Sequence, residues 1–150
     1  DMMVKAGTYM VPTLAAPHFI LENISVGGFP DGVIEKTKYI GKTHVASFKL
    51  AMKKGIKIAM GTDSGTPFNY PGNSAYELYL MVEAGMSEME AIVTSTKNSS
   101  ELLGIEKRYG TLENGKFADF IVLENNPIEN ISAIQSPFSV YKTGKLVYNN

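Results

Sequence analysis

The chain of 150 residues has no cysteine and no tryptophan, and only two histidines. Without cysteine there are no disulfides, no zinc–thiolate sites and no thiol nucleophile, so any metal chemistry must rest on Asp, Glu or His. Charge of one sign is also lacking. Fourteen Lys and Arg against 15 Asp and Glu leave a net charge of -1. The longest basic cluster, Lys53-Lys54, falls at a helix end, where it complements the helix dipole rather than forming a stripe for phosphates. Nucleic acid is therefore not an expected partner. No apolar run approaches the roughly 18 residues a membrane span needs, and no charged-then-apolar leader opens the chain. The cytoplasm is the expected location.

What is present is an ordered, globular composition, 44% hydrophobic and 19% charged. The opening, Asp1-Met2-Met3-Val4-Lys5-Ala6-Gly7, reads as the last turn and glycine stop of a helix. The chain is accordingly expected to be a piece of something longer. Thr8–Leu14 is β-rich and ends at Pro12-Thr13, and Ala15–Gly28 reads as a loop with room for a short helix. A long helix follows from about Val33 to Lys54, with Gly41, Val45, Phe48 and Met52 on one face and Gly55 as its stop. It leads into a buried strand, Ile56–Met60. Strand, helix, strand in this order predicts two parallel strands joined by a right-handed crossover.

Beyond Thr66-Pro67-Phe68-Asn69-Tyr70-Pro71-Gly72, Ser74 with Glu77 and Ser87 with Glu90 each match the capping box. They predict helices ending at Ala84-Gly85 and near Thr96, then a turn over Asn98–Leu103 closed by Gly104. Past Tyr109 the texture changes to short strands and tight turns: Thr111-Leu112, a turn at Glu113–Lys116, a strand at Ala118–Leu123, a polar loop at Asn125-Asn126-Pro127, and strands at Val140–Lys142 and Leu146–Tyr148.

Asp63 is the residue most suggestive of chemistry. It stands where the buried strand gives way to Gly61-Thr62-Asp63-Ser64-Gly65, and in barrels of alternating strands and helices such strand ends gather the active site. The competing reading is that it caps a helix or ties a turn. Ser64 and Thr66 could reach a substrate or could satisfy the backbone. Tyr70 and Phe68 could line an apolar pocket. His18 follows the first strand on the same side and is weighed between substrate contact and loop packing. His44 shares a helical face with Phe48 and Ala51 and reads as structural. Asp119 reads as tying a turn in the β-rich tail.

Gly61-Thr62-Asp63, Asn73-Ser74-Ala75-Tyr76-Glu77-Leu78, Val82-Glu83-Ala84-Gly85-Met86-Ser87, Gly110-Thr111-Leu112-Glu113-Asn114-Gly115-Lys116-Phe117-Ala118-Asp119 with its following apolar strand, and Asn126-Pro127-Ile128 together resemble the C-terminal part of the amidohydrolase superfamily. The resemblance is to its imidazolonepropionase-like and Xaa-Pro dipeptidase-like members, and it covers nearly the whole chain. It implies an α/β fold: residues 1–108 as the C-terminal portion of a (β/α)8 barrel, with its last two strands and helices, and residues 109–150 as a β-sandwich segment.

By that resemblance Asp63 is both a metal ligand and the proton shuttle for a metal-activated water, the metal is divalent and taken as zinc, and the reaction is hydrolysis of a C–N bond in a small-molecule or dipeptide substrate. His18, Ser64, Thr66 and Tyr70 are then the candidates for substrate binding. The family's other ligands, a His-x-His pair, a carboxylated lysine or glutamate and two further strand-end histidines, match no position here, and His18 and His44 do not replace them. Pro71 stands where related members favour a histidine, which puts the details of substrate specificity in question. The chain by itself is expected to be inactive, to hold no metal tightly and to self-associate. The alternative reading is a noncatalytic structural or assembly module of the same fold.

Overall fold

A computed structural model describes all 150 residues. The first part is helical around two short strands. Helix α1 (Met2–Ala6) precedes β1 (Tyr9–Met10). Helices α2 (Ala15–Glu22), α3 (Ile24–Gly27) and α4 (Asp31–Lys53) lead to β2 (Lys57–Ile58). Then come α5 (Ala75–Glu83), α6 (Glu88–Val93), a π-helical stretch Thr94–Asn98 and α7 (Ser99–Leu102). The tail holds β3 (Phe120–Val122), a 3-10 turn Ile131–Gln135, β4 (Ser139–Lys142) and β5 (Lys145–Asn149).

Strands β1 and β2 are parallel, with Tyr9 opposite Lys57 and Met10 opposite Ile58, and α4 is the crossover between them. The helix ends where its glycine allows. Gly55 adopts φ 66, its N–H reaching Met52 O at 3.0 Å while Ile56 N reaches Ala51 O at 3.0 Å, which is the Schellman arrangement. Gly85 ends α5 in the same way, with Met86 N on Met81 O at 3.1 Å. Helix α4 lays Phe48 and Ala51 against Ile58 of β2 and against Leu78 and Met81 of α5, forming one apolar core with Ala91 and Ile131 at its edge. Phe48 and Met81 are fully buried. No helix is long and apolar enough to cross a membrane.

Several expectations need correction. The strands are two residues each rather than the longer runs Thr8–Leu14 and Ile56–Met60, because Thr13 turns the chain at φ 48 and because only one edge of each strand finds a strand partner. Residues Ala15–Gly28 are largely helical rather than a loop, in α2 and α3. The turn expected at Asn98–Leu103 is a continuation of the helix through a π-helical stretch and α7. That stretch has a clear cause: alternate backbone groups of β2 point away from β1, and the helix satisfies them. Asn98 Nδ2 donates to Ile58 O at 2.8 Å, and Met60 N donates to Thr94 O at 3.1 Å. Thr111-Leu112 forms no strand.

The tail is a three-stranded antiparallel sheet in the order β3-β4-β5. Phe120 stacks on Tyr141 at 4.5 Å across the β3–β4 pair. The β4–β5 hairpin turns on Thr143-Gly144, at φ 49 and 75, the double left-handed turn that suits strand twist. Asp119 ties this turn to the sheet, accepting from Thr143 N at 2.7 Å and from the Lys142 ammonium. Those donors, Lys142 first and then Thr143 N–H, hold its carboxyl below the usual aspartate range. A carboxyl depressed in the fold contributes stability above its unfolded pKa and loses it as pH falls through the folded value. Asp119→Ala should therefore lower the thermal midpoint of the full-length protein at pH 7. The gap to wild type should narrow as the melts are taken down to about pH 3, below the ordinary aspartate pKa of about 3.9. An unchanged midpoint at pH 7 counts against the tie.

Candidate active site around Asp63

The loop that carries Asp63 starts from a close approach of the two strand ends. A Cβ on Gly61 would lie 2.5 Å from Val11 Cγ1, so only glycine lets the chain leave β2 beside the end of β1. Asp63 follows in the left-handed region at φ 53, and Thr13, just past β1, is left-handed too at φ 48. Non-glycine residues held in this way cost of order 1–3 kcal/mol each and persist where surrounding contacts over-determine them. Two such residues lie just beyond the ends of the adjacent parallel strands.

Asp63 is exposed, and its carboxylate accepts no hydrogen bond from the chain. Its backbone carbonyl is held instead, by Thr66 Oγ1 at 3.0 Å and by Asn69 Nδ2 at 3.1 Å. Asn69 is only 2% exposed, and it also donates to Thr62 O at 2.6 Å and Thr66 Oγ1 at 3.3 Å. The Thr66 hydroxyl is thus engaged with the backbone of the turn. Ser64, exposed, joins Thr66 through a backbone bridge. Tyr70 is exposed, and Phe68 meets Phe29, from the segment before α4, edge to face at 6.0 Å. The loop following β2 therefore touches the segment between α3 and α4 through aromatic rings. The turn brings Asp63, Ser64 and Thr66 together.

His18 lies apart from that turn, on α2. Its Nε2 is 3.1 Å from Tyr76 Oη, and its ring packs with Phe19 and Tyr76 at 5.4 and 5.3 Å. It borders a small apolar pocket of about 240 Å³ between α2, α4 and α5, which His44 also lines. No group of three or more His, Asp or Glu that could hold a metal converges within the chain.

Glu77 is not a helix cap. The Ser74 side chain makes no capping bond, whereas the Ser87–Glu90 box is fully formed. The fully buried Glu77 carboxylate instead crosses to the end of the β1 loop, accepting from Leu14 N at 2.7 Å and Ala15 N at 2.8 Å. These are the orphan donors at the start of α2. Burial pushes its carboxyl up to about 7, against the two backbone N–H groups that favour the charged form. A capping box and this long-range clamp look identical in sequence, and only burial against Leu14 distinguishes them. Asn69 was equally hard to find, since an Asn-Tyr-Pro-Gly run reads as a turn.

The model of the Amidohydrolase family matches residues 1–147. The chain belongs to the amidohydrolase family. It is 37% identical to ochratoxinase of Aspergillus niger over 151 aligned positions, covering 97% of this chain and 30% of that protein. It is 27% identical to an imidazolonepropionase of Thermoplasma volcanium over 67% of this chain and 26% of that one. Among solved structures, a Xaa-Pro dipeptidase with methionine bound in its active site superposes with a TM-score of 0.89 at 40% identity, covering 100% of this chain and 36% of its own. The chain thus spans about a third of the length of these relatives.

Because the folded amidohydrolase chain binds the Glu77 proton more tightly than the unfolded one, stability falls as pH rises from about 4.5 to about 7. Glu77→Gln keeps the shape but turns an N–H donor toward one of two N–H donors, so it should cost about 1–3 kcal/mol. It should also flatten the pH dependence over that interval. Urea unfolding of both forms at pH 5 and pH 7.5 checks this; a variant as stable as wild type, with the same slope, would show that the clamp is not an energetic one.

Proposed function

We propose that this chain is the C-terminal portion of a metal-dependent amidohydrolase that hydrolyses a C–N bond in a dipeptide or other small amide. Residues 1–108 contribute the last two strands and the helices of a (β/α)8 barrel, and residues 109–150 a segment of its β-sandwich. The observation that carries the reading is Asp63: an exposed carboxylate without an internal partner, in left-handed backbone immediately beyond one of two adjacent parallel strands. Its support is the family membership together with the similarity to a Xaa-Pro dipeptidase and an ochratoxinase.

The residues fit a metal as one donor of a set. Asp63 offers a free oxygen, and no second and third ligand converge within the chain, so the remaining donors belong to the rest of the barrel. A divalent metal, taken as zinc and held by Asp63 among other donors, would lower the pKa of a coordinated water to about 7 and polarise the amide carbonyl. Asp63 accepts the proton of the attacking water as it adds to the carbonyl carbon, then returns that proton to the amine nitrogen as the C–N bond breaks. One carboxylate can perform both transfers because it faces solvent and its backbone is fixed while its oxygens are not. Ser64 and Tyr70, beside it on the same loop, are in our reading the groups nearest the substrate, with Phe68 and Phe29 as the apolar side of the pocket; Thr66, also expected there, instead spends its hydroxyl on the Asp63 carbonyl and holds the turn. His18 is a more peripheral contact. Cytoplasmic location and self-association belong to the same proposal.

In the full-length protein, Asp63→Asn should reduce turnover at least 100-fold with little change in thermal midpoint, since the amide keeps the shape and cannot take the proton. Hydrolysis of a panel of dipeptides and N-acyl amino acids, run beside thermal melts, decides it; wild-type turnover would sink the assignment.

The 150-residue chain made alone should retain no zinc after dialysis, because one carboxylate falls short of the three or four ligands a tight site uses. It should also self-associate. The outer edge of β1 lacks a partner strand, and Val11, directly after it, is an exposed apolar side chain. Metal analysis and light scattering across a concentration series test both statements. A compact monomer with one tightly held ion would contradict them.

A further inference from the structure

We infer that Asn69 is a positioning residue for Asp63, clamping the turn that aims its carboxylate. The inference rests on the reading of Asp63 as metal ligand and proton shuttle and deepens it. Asn69 lies six residues beyond Asp63, yet it is 2% exposed and its side-chain amide points back into the turn. Nδ2 donates to the carbonyls on both sides of the peptide that carries Asp63: Thr62 O at 2.6 Å and Asp63 O at 3.1 Å. A third contact, to Thr66 Oγ1 at 3.3 Å, locks the hydroxyl that itself donates to Asp63 O. The Asn69 backbone closes the loop as well, with Gly65 N on Asn69 O at 2.8 Å and Asn69 N on Thr66 O at 3.0 Å.

These contacts fix the left-handed φ 53 of Asp63. An L-residue relaxes from that region unless its flanking carbonyls are held, and relaxation would swing the Cα–Cβ bond and move the carboxylate by ångströms. Only a neutral amide suits the place, because it donates to both carbonyls at once. Asn69→Asp would set a negative oxygen against those two carbonyls, and Asn69→Leu would leave the buried Thr62 carbonyl without its side-chain donor and the Asp63 carbonyl held by Thr66 alone. The Asp63 carboxylate makes no hydrogen bond within the chain, so its aim depends on its backbone, and the backbone depends on Asn69.

The test uses the full-length protein as wild type, Asp63→Asn, Asn69→Ala, Asn69→Asp and the double variant Asp63→Asn/Asn69→Ala. Three quantities are read: kcat and KM on a dipeptide substrate, zinc retention against a competing chelator, and the thermal midpoint. Misplacing a metal ligand through its supporting contacts costs about 10–100-fold in metal affinity or activity. Asn69→Ala should lower kcat and zinc affinity in that range with KM nearly unchanged, and Asn69→Asp should lower them further. Added to Asp63→Asn, the Asn69 change should bring no further loss, because it acts through a group already disabled.

The failures are separable. If Asp63→Asn turns over and holds zinc like wild type, the reading of Asp63 falls and the positioning role with it. If Asp63→Asn is inactive while Asn69→Ala matches wild type in both kcat and zinc retention, the positioning role alone is overturned. Losses that add in the double variant show Asn69 acting elsewhere and also overturn it. Unfolding of both Asn69 variants assigns the residue to the fold alone and overturns the positioning role in the same way.

Discussion

The Glu77 carboxylate, buried between α5 and the start of α2, is the interaction on which the rest of the arrangement depends. A buried carboxylate without partners would be strongly unfavourable. Here both oxygens meet consecutive backbone N–H groups, at Leu14 and Ala15, that would themselves be orphans at a helix start. Each side satisfies the other, so neither can be removed alone without leaving a buried polar group unpaired. The consequence is geometric. The loop after β1 and the helix that follows the Asp63 turn become one body, and Leu14, next to the clamp, enters the core with Phe48 and Met81.

A second seal works along the other edge of β2. A strand of two residues cannot satisfy its backbone by strand pairing on one side alone. The π-helical stretch supplies the missing partners through Asn98 Nδ2 and Thr94 O, and Ser99 Oγ, which donates to Thr94 O at 2.6 Å, accepts from Met60 N at 3.3 Å. A regular α-helix would place these polar groups out of register with the strand. The π-helical stretch sits beside β2 with these groups opposite Ile58 and Met60. It also corrects the simple picture of two exposed strand edges: the outer edge of β2 is already covered, and that of β1 is the one left free.

Much of this was legible in the chain. The crossover helix with its glycine stop at Gly55, the stop of α5 at Gly85, the Ser87–Glu90 cap and the hairpin strands around Gly144 are local devices, and local chemistry specifies them. The place of Asp63 was legible too, in the Gly61-Thr62-Asp63 run directly after a buried strand, while the role given to it belongs to the proposal. The illegible parts are long-range. Glu77 reaches a partner more than 60 positions away, and a residue three places after Ser74 has the same spacing whether it caps its own helix or clamps another. Asn98 and Thr94 pair with a strand some 40 residues earlier, so the segment read as a turn was a helix adapting to that strand. His18 sits on α2, which carries its ring to Tyr76 and apart from the Asp63 turn, a contact no spacing in the sequence could announce.

These two seals explain why the Asp63 turn can tolerate an unfavourable backbone. A residue at positive φ, a free carboxylate and exposed loop neighbours would ordinarily make a mobile, low-stability segment. The turn is instead anchored at three points. Gly61 is pressed against Val11 at its start, Asn69 is buried at its centre, and at its end α5 is fixed by Glu77 and by Leu78 and Met81 in the core. Rigidity is thus confined to the backbone, while the Asp63 oxygens stay unbonded within the chain. The role proposed for Asp63, to hold a metal and move a proton, would use this combination, because a carboxylate already tied to protein donors would be a poorer base. The same logic separates Asp63 from Asp119 and Glu77: those two carboxylates are committed to backbone donors, and of the three only Asp63 has its oxygens available for chemistry.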